Sequence, residues 1–278
     1  MYPEPINVPA PECKNVVQLI SGGAPANDGE FPHYALLGYN KSGTSDEYDF
    51  RCGGTLISDQ HVLTAAHCFK LQLLSFVRLG ENDITVKSKQ EYDVPIEGFL
   101  KHPENRFSKV YHDIVLVKLK YQVNFTKSIR PACLSDTENR NITKYIATGF
   151  GMTENNENSE TMMKVALEKF PEDDCLARVK HLESRYGLGI LPGQMCVGSN
   201  TVGRDTCVGD SGGALQTVTN PSTCTFHVVG VVSTGLKGCG IGKARAVYTK
   251  VPYYLDWIEE IVWGAKMNSA YEKILVPK

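Results

Sequence analysis

The chain of 278 residues is most informative first in what it lacks. Its 29 Lys and Arg are offset by 31 Asp and Glu, a formal charge of -2. Without a basic surplus there is no footprint for a phosphate backbone, so no nucleic-acid partner is expected. No apolar run approaches the roughly 18 residues of a membrane-spanning helix, so no membrane partner is expected either. No apolar leader follows Met1, and the expectation is a fragment, or a chain given without its export signal. Six of the histidines, His33, His61, His102, His112, His181 and His227, lack metal-ligand spacing and read as ordinary surface or core residues.

The length suffices for a full core, as one large β domain or two small ones. Nine cysteines favour an oxidising compartment over the cytosol, and sequons at Asn40, Asn124 and Asn141 suit a secreted surface. Residues 1–19 carry prolines at positions 3, 5, 9 and 11 and read as an extended linker anchored by Cys13, leaving 20–278 as the folded unit. In that unit, apolar or β-branched runs at 34–37, 54–57, 76–79, 114–119, 228–232 and 246–251 are cut by Gly, Asn, Asp and Pro. Such spacing reads as an all-β antiparallel fold, sandwich or barrel. Residues 253–263 break the rhythm, because Tyr254, Leu255, Ile258, Ile261 and Val262 recur near the 3.6 period of an amphipathic helix. The polar stretch 153–161 is expected to be a mobile loop.

The chemistry concentrates in residues 204–214, Arg-Asp-Thr-Cys-Val-Gly-Asp-Ser-Gly-Gly-Ala. A serine hydroxyl is a weak nucleophile unless a base takes its proton and donors stabilise the oxyanion. Glycines at 209, 212 and 213 let the backbone turn sharply and aim the amides of Gly209 and Ser211 at one oxygen. A Gly-rich surface turn would look the same, so two other stretches decide the matter. In 63–68, Leu-Thr-Ala-Ala-His-Cys, His67 follows small residues beside a cysteine. In 111–117, Tyr-His-Asp-Ile-Val-Leu-Val, Asp113 opens a buried-strand pattern and could accept a hydrogen bond from imidazole.

In that order, TAAHC, HDIVLVKL and GDSGG resemble the trypsin and chymotrypsin family of serine endopeptidases, over residue 20 to about residue 263. The resemblance implies two six-stranded antiparallel β-barrels with the cleft between them, and a C-terminal α-helix. It implies that Ser211 is the nucleophile of an acyl-enzyme, His67 its general base, Asp113 the group orienting His67, and the Gly209 and Ser211 amides the oxyanion hole. Cleavage after Leu19 would free the Ile20 ammonium to pair with Asp210. Asp205 would sit at the base of a pocket for Arg or Lys, with Thr206 beside it and Ser233, Gly235 and Ala246 along its edge. Thr234 stands where an aromatic is common and Ala246 where a pocket-wall glycine is, so one extra methyl would narrow the slot.

By the same analogy Cys13 pairs with Cys133, Cys52 with Cys68, Cys175 with Cys196 and Cys207 with Cys239, which leaves Cys224 over. Glu81, Asp83 and Glu91 fall in a loop that binds calcium in some relatives, interrupted here by Lys87 and Lys89. A solvated charged loop is the competing reading, and no other metal or cofactor is expected. The Pro-rich leader, Leu19, STGLKGCG and AVYTKVPYYLDWIEEIVWG are similar to the catalytic portion of arthropod clip-domain proteases. That similarity implies an extracellular cascade of immunity or development, with protein substrates, an activating protease, protein inhibitors, and an N-terminal regulatory domain outside this chain. The alternatives are a non-catalytic homologue acting as a binding cofactor, which Ser211 argues against, and an adaptor working through Cys224.

Overall fold

The computed structural model describes residues 23–41, 48–70, 74–106, 108–136, 142, 144–152, 157–179, 183–201, 205–207, 209–220, 225–234 and 244–264. A short β1 (Ala24–Pro25) leads into β2 (Tyr34–Asn40), β3 (Tyr48–Leu56), β4 (His61–Thr64), β5 (Leu74–Leu79), β6 (Tyr92–Lys101) and β7 (Val115–Leu119). The last six close a barrel in the order β2-β3-β4-β7-β6-β5, every pairing antiparallel. After β8 (Cys133–Leu134) come β9 (Lys144–Gly149), β10 (Met163–Phe170), β11 (Gln194–Ser199), β12 (Ala214–Asn220), β13 (Thr225–Thr234) and β14 (Ala244–Lys250). These run β10-β11-β14-β13-β12-β9, and pairing of β9 with β10 closes a second ring of six. The all-β, two-barrel expectation is what the chain adopts. β1 adds to β10, and β8 lies parallel to β13.

The apolar runs become strands because their side chains have somewhere dry to go. In β7, Val115, Leu116, Val117 and Leu119 have no exposed surface. Burying one such side chain is worth about 1.5 to 3 kcal/mol, before the entropy of ordering it. The largest core cluster joins residues of both barrels to Tyr254, Ile258 and Ile261, so the C-terminal helix staples the fold. That helix, α3 (Leu255–Val262), follows a 3-10 turn over Val251–Tyr254 and begins slightly later than the periodicity suggests.

Two helices had no sequence signal. In α1 (Glu172–Val179) only Cys175 and Val179 are buried, too few for a periodic stripe. Its acidic first turn complements the positive end of the helix dipole, and a Cys175–Cys196 disulfide ties it to β11. α2 (Glu183–Tyr186) is a single turn. The described part of the polar segment, 157–161, is tied down by bridges Met152–Asn158 and Asp83–Thr161 and by Ser159 Oγ donating to the Thr161 carbonyl at 2.6 Å.

Strand register delivers the candidate residues to one place. β4 and β7 run antiparallel with Thr64 opposite Val115, so the chain leaves β4 where it enters β7. His67, three residues after Thr64, and Asp113, two before Val115, therefore meet at one rim of the first barrel. From the second barrel, the approach to β12 is fixed by the Gly212 N–H donating to the Val232 carbonyl at 2.9 Å, and the Val232 N–H donating to the Gly213 carbonyl at 2.9 Å.

Candidate active site

Asp113 grips residue 67 at two points. One carboxylate oxygen accepts the His67 backbone N–H at 2.8 Å, and the other accepts from Nδ1 of the ring at 2.7 Å. The second oxygen also accepts the Ser233 hydroxyl at 2.5 Å, and the Asp113 carbonyl accepts from Thr249 Oγ1 at 2.9 Å. Asp113 is almost fully buried, whereas the His67 side chain keeps a quarter of its surface exposed. Burial pushes the carboxyl up, but the His67 charge and the bonds from His67 and Ser233 outweigh it, leaving Asp113 below its ordinary value. With Nδ1–H committed to Asp113, the ring's other nitrogen carries the lone pair, as a general base requires.

The segment bearing Ser211 is tied to the same rim. Its carbonyl accepts the Gly53 N–H at 2.8 Å, and Cys68 Sγ lies 3.8 Å away. A Cys52–Cys68 disulfide spans this contact, as the resemblance implies. Gly212 has φ +80°, and a Cβ there would collide with Thr64 Oγ1 and the Gly53 carbonyl; no other residue fits. The turn uses the N–H groups of Asp210 and Gly213 internally, and that of Gly212 donates to Val232. Those of Gly209 and Ser211 find no acceptor among the described residues, which leaves two donors for an oxyanion. The Ser211 hydroxyl makes no hydrogen bond to His67 among the described residues. Such bonds often tighten only once substrate is bound.

Asp210 faces away from this cleft chemistry. Its carboxylate accepts the N–H of Gly151 at 2.9 Å and of Cys207 at 2.8 Å, and no cation faces it among the described residues. Burial pushes it up to about 6, against the two backbone bonds. A Cβ on Gly149 or Gly151 would strike this carboxylate, so the enclosure is tailored to it.

Behind the serine, the Thr206 hydroxyl meets the Tyr248 hydroxyl at 2.7 Å, and the charge of Asp205 is felt at that tyrosine. Ala246 is buried two residues before Tyr248 on the same strand. Tyr248 and Thr249 carry no signal in the sequence, since they lie inside an ordinary strand pattern. Ser233, expected at the pocket edge, spends its hydroxyl on Asp113. Gly235, Leu19 and Ile20 lie outside the described residues.

Cys207 is disulfide-bonded; Cys239, its expected partner, and Cys224 lie outside the described residues. Cys133 is half-buried and has no disulfide partner among the described residues; Cys13, its expected partner, lies outside them. That pairing rested on analogy, and spacing alone fixes no connectivity. The acids suggested for calcium are engaged by protein groups. Glu81 accepts two backbone N–H bonds and lies 3.3 Å from the Arg78 guanidinium. Glu91 is 3.7 Å from the same group, Asp93 pairs with it at 2.7 Å, and Asp83 bonds Thr85. Arg78 thus supplies the positive charge that a cation would bring.

Comparison with known proteins agrees with this geometry. The Trypsin family profile matches residues 20–258. Serine protease snk of Drosophila melanogaster is 39% identical over 257 residues, covering 91% of this chain and 59% of its own length. Serine protease Hayan of the same organism is 34% identical over 283 residues, covering 94% and 44%. CLIP domain-containing serine protease B4 of Anopheles gambiae is 35% identical over 277 residues, covering 91% and 74%. The chain thus spans about three fifths or less of the first two relatives. No helix among the described residues is long and apolar enough to cross a membrane.

Proposed function

This chain belongs to the trypsin family of serine endopeptidases, and from that premise we propose that it cleaves protein substrates after Arg or Lys through an acyl-enzyme on Ser211. The observation that carries the reading is the two-point hold of Asp113 on His67. His67 takes the Ser211 proton as the hydroxyl attacks the carbonyl carbon, and the Gly209 and Ser211 amides receive the oxyanion. His67 then gives the proton to the departing amine, and water repeats the sequence to release the acyl group. Asp113 holds the productive tautomer and stabilises the imidazolium.

The Arg or Lys preference rests on Asp205 beside Tyr248 and Thr206, a carboxylate able to attract a guanidinium or ammonium. Asp205→Ser tests it. Arg and Lys substrates should lose cleavage while fluorophosphonate labelling of Ser211 persists; a retained Arg preference defeats the assignment. Labelling that survives Ser211→Ala defeats the nucleophile itself.

Activation is by cleavage after Leu19, and the new Ile20 ammonium pairs with Asp210. The uncompensated Asp210 carboxylate supports this, since a buried charge calls for a partner. An activator preferring large apolar residues follows from Leu19, and N-terminal sequencing of active chain checks the site. Activity unchanged after acetylating the new terminus refutes the switch. Disulfides at 52–68 and 175–196, with exposed sequon residues Asn40 and Asn124, support a secreted protein. An extracellular cascade of immunity or development, with an activating protease upstream and protein inhibitors, is the setting that the relatives' names support.

A further inference from the structure

Directly behind Asp113 lies a cluster that catalysis does not use. Among described non-glycine residues, His112 alone has a positive φ, 51°, a conformation uncommon without glycine. Several contacts hold it there. Its N-terminal neighbour in space is His102, stacked on it at 5.0 Å with planes 11° apart; Trp257 meets His102 edge-on at 5.1 Å. The Tyr254 hydroxyl lies 3.2 Å from His112 Nδ1, and the Ile114 N–H donates to the His112 carbonyl at 2.9 Å.

Packing alone leaves the nitrogens of this stack underused. His112 Nε2 faces a Glu104 carboxylate oxygen at 3.6 Å, beyond a hydrogen bond. His102 Nδ1 accepts only a long 3.3 Å bond from the Glu104 N–H. One ligating atom from each of His102, Glu104 and His112 lies within 4.8 Å of the others. Around tetrahedral zinc, bond lengths of about 2.0 to 2.2 Å place ligand atoms roughly 3.4 Å apart. The set must therefore contract by at most about 1.4 Å; the Glu104 side chain, 69% exposed, has room to swing inward, and His102 must turn out of the near-parallel stack to aim its lone pair at the same point. Two imidazoles and one carboxylate suit zinc-class ions better than calcium or magnesium, with water as fourth ligand. If His112 donates Nδ1–H to the Tyr254 oxygen, its Nε2 lone pair faces the site, the usual support beneath a metal-binding histidine. A second grouping, Cys52, His67 and Cys68, offers no thiolate because its sulfurs are joined.

We infer that His102, Glu104 and His112 bind a divalent ion of the zinc class, and that occupancy acts on Asp113 through the His112–Asp113 peptide. Drawing the imidazole toward a metal shifts a strained residue whose carbonyl-side neighbour holds His67. The binding half stands on side-chain geometry alone; the action on Asp113 rests on the proposed triad.

Zinc chloride titrated into the full chain, read by Trp257 fluorescence, and cobalt chloride, read by visible absorption, test the binding half. The expected result is one ion per chain, with affinity at least about 10-fold weaker in Glu104→Gln and in His102→Gln. In the activated enzyme, zinc should slow fluorophosphonate acylation of Ser211 several-fold, and neither variant should respond. Far-ultraviolet circular dichroism and urea midpoints matching the parent's show that both variants are folded. No fluorescence or absorption response to excess metal, or binding equally tight in both variants, overturns the site. Binding with unchanged acylation overturns the action on Asp113, whereas a parent that never acylates indicts the triad reading and leaves the binding result intact.

Discussion

Two enclosed carboxylates flank the cleft, and they titrate in opposite directions. Asp113 accepts three hydrogen bonds, two of them from His67, and sits below its ordinary value. Asp210 accepts two backbone bonds, faces no cation among the described residues, and is raised to about 6. Burial acts on both alike. What separates them is whether positive charge and enough donors accompany the carboxylate. One arrangement is complete as it stands, and the other waits for a partner. That difference distinguishes a group built to hold a base in place from one built to register an event elsewhere in the chain.

The strongest way to break the comparison is Asp113→Asn. The amide keeps the shape but presents an N–H toward one of its donors, favouring the wrong His67 tautomer. A loss of about 10,000-fold in the acylation rate of activated enzyme is the expected size for a triad acid replaced by its amide. A loss below about tenfold would mean that the two-point grip on His67 is structural only.

Asp210 gives the next largest effect, with the opposite sign against pH. A carboxyl raised from 3.8 to about 6 in the folded chain leaves the folded state holding a proton that the unfolded state has released. Stability from this group is therefore lost as pH rises from about 4 through 6, by about 3 kcal/mol in the uncleaved chain. His33 and His61, both held near 4 chiefly by burial, work the other way and add stability as pH rises from about 4 toward 6.5. The whole-protein curve thus mixes the two signs, and the informative quantity is the difference between parent and Asp210→Asn. In urea unfolding, the variant should gain on the parent by about 3 kcal/mol between pH 4 and pH 7. After cleavage at Leu19 that gain should vanish, because the Ile20 ammonium supplies the missing charge. A difference independent of pH in the uncleaved chain would show that Asp210 already has a partner.

How much of this was legible in the sequence follows the same division between local and distant causes. That the fold is all-β could be read from apolar, β-branched runs such as 114–119 and 228–232, which are local properties of the chain, whereas the choice of barrels over a sandwich came from the family resemblance. His67, Asp113 and Ser211 could be singled out because each sits in a short motif, although only the register of β4 against β7 explains why the first two meet. Thr249 and Tyr248 could not be found, since each contributes through a hydroxyl reaching across the fold to a partner 136 or 42 residues away. Ser233 was noticed for the pocket and proved to serve Asp113. The contacts of Arg78 with the acids suggested for calcium could not be read, because Arg78 precedes them in a strand and nothing local reveals that its guanidinium turns back among them. Cys133 was assigned to Cys13 by analogy, and Cys13 lies outside the described residues.

Ser233→Ala sharpens the comparison at its finest scale, by moving Asp113 one step toward the condition of Asp210. It deletes one donor and leaves both contacts to His67, so the carboxyl should rise toward its ordinary value. Hydrogen bonds to charged groups are worth about 1.5 to 3 kcal/mol, so a loss near 2 kcal/mol is expected at pH 7. The sign against pH is the decisive part. A depressed carboxyl contributes stability that is present above its unfolded pKa and is lost as pH falls through the lower folded one. The parent's advantage over Ser233→Ala should therefore shrink below pH 4, where the advantage of Asp210→Asn over the parent has also disappeared. Since each substitution touches a carboxylate, the same unfolding series reads both, and in opposite senses: one change removes support from a charge that has it, the other removes a charge that lacks it. If Ser233→Ala loses the same stability at every pH, its hydroxyl packs against Asp113 without favouring the ionised form. The contrast between the two carboxylates would then rest on His67 alone.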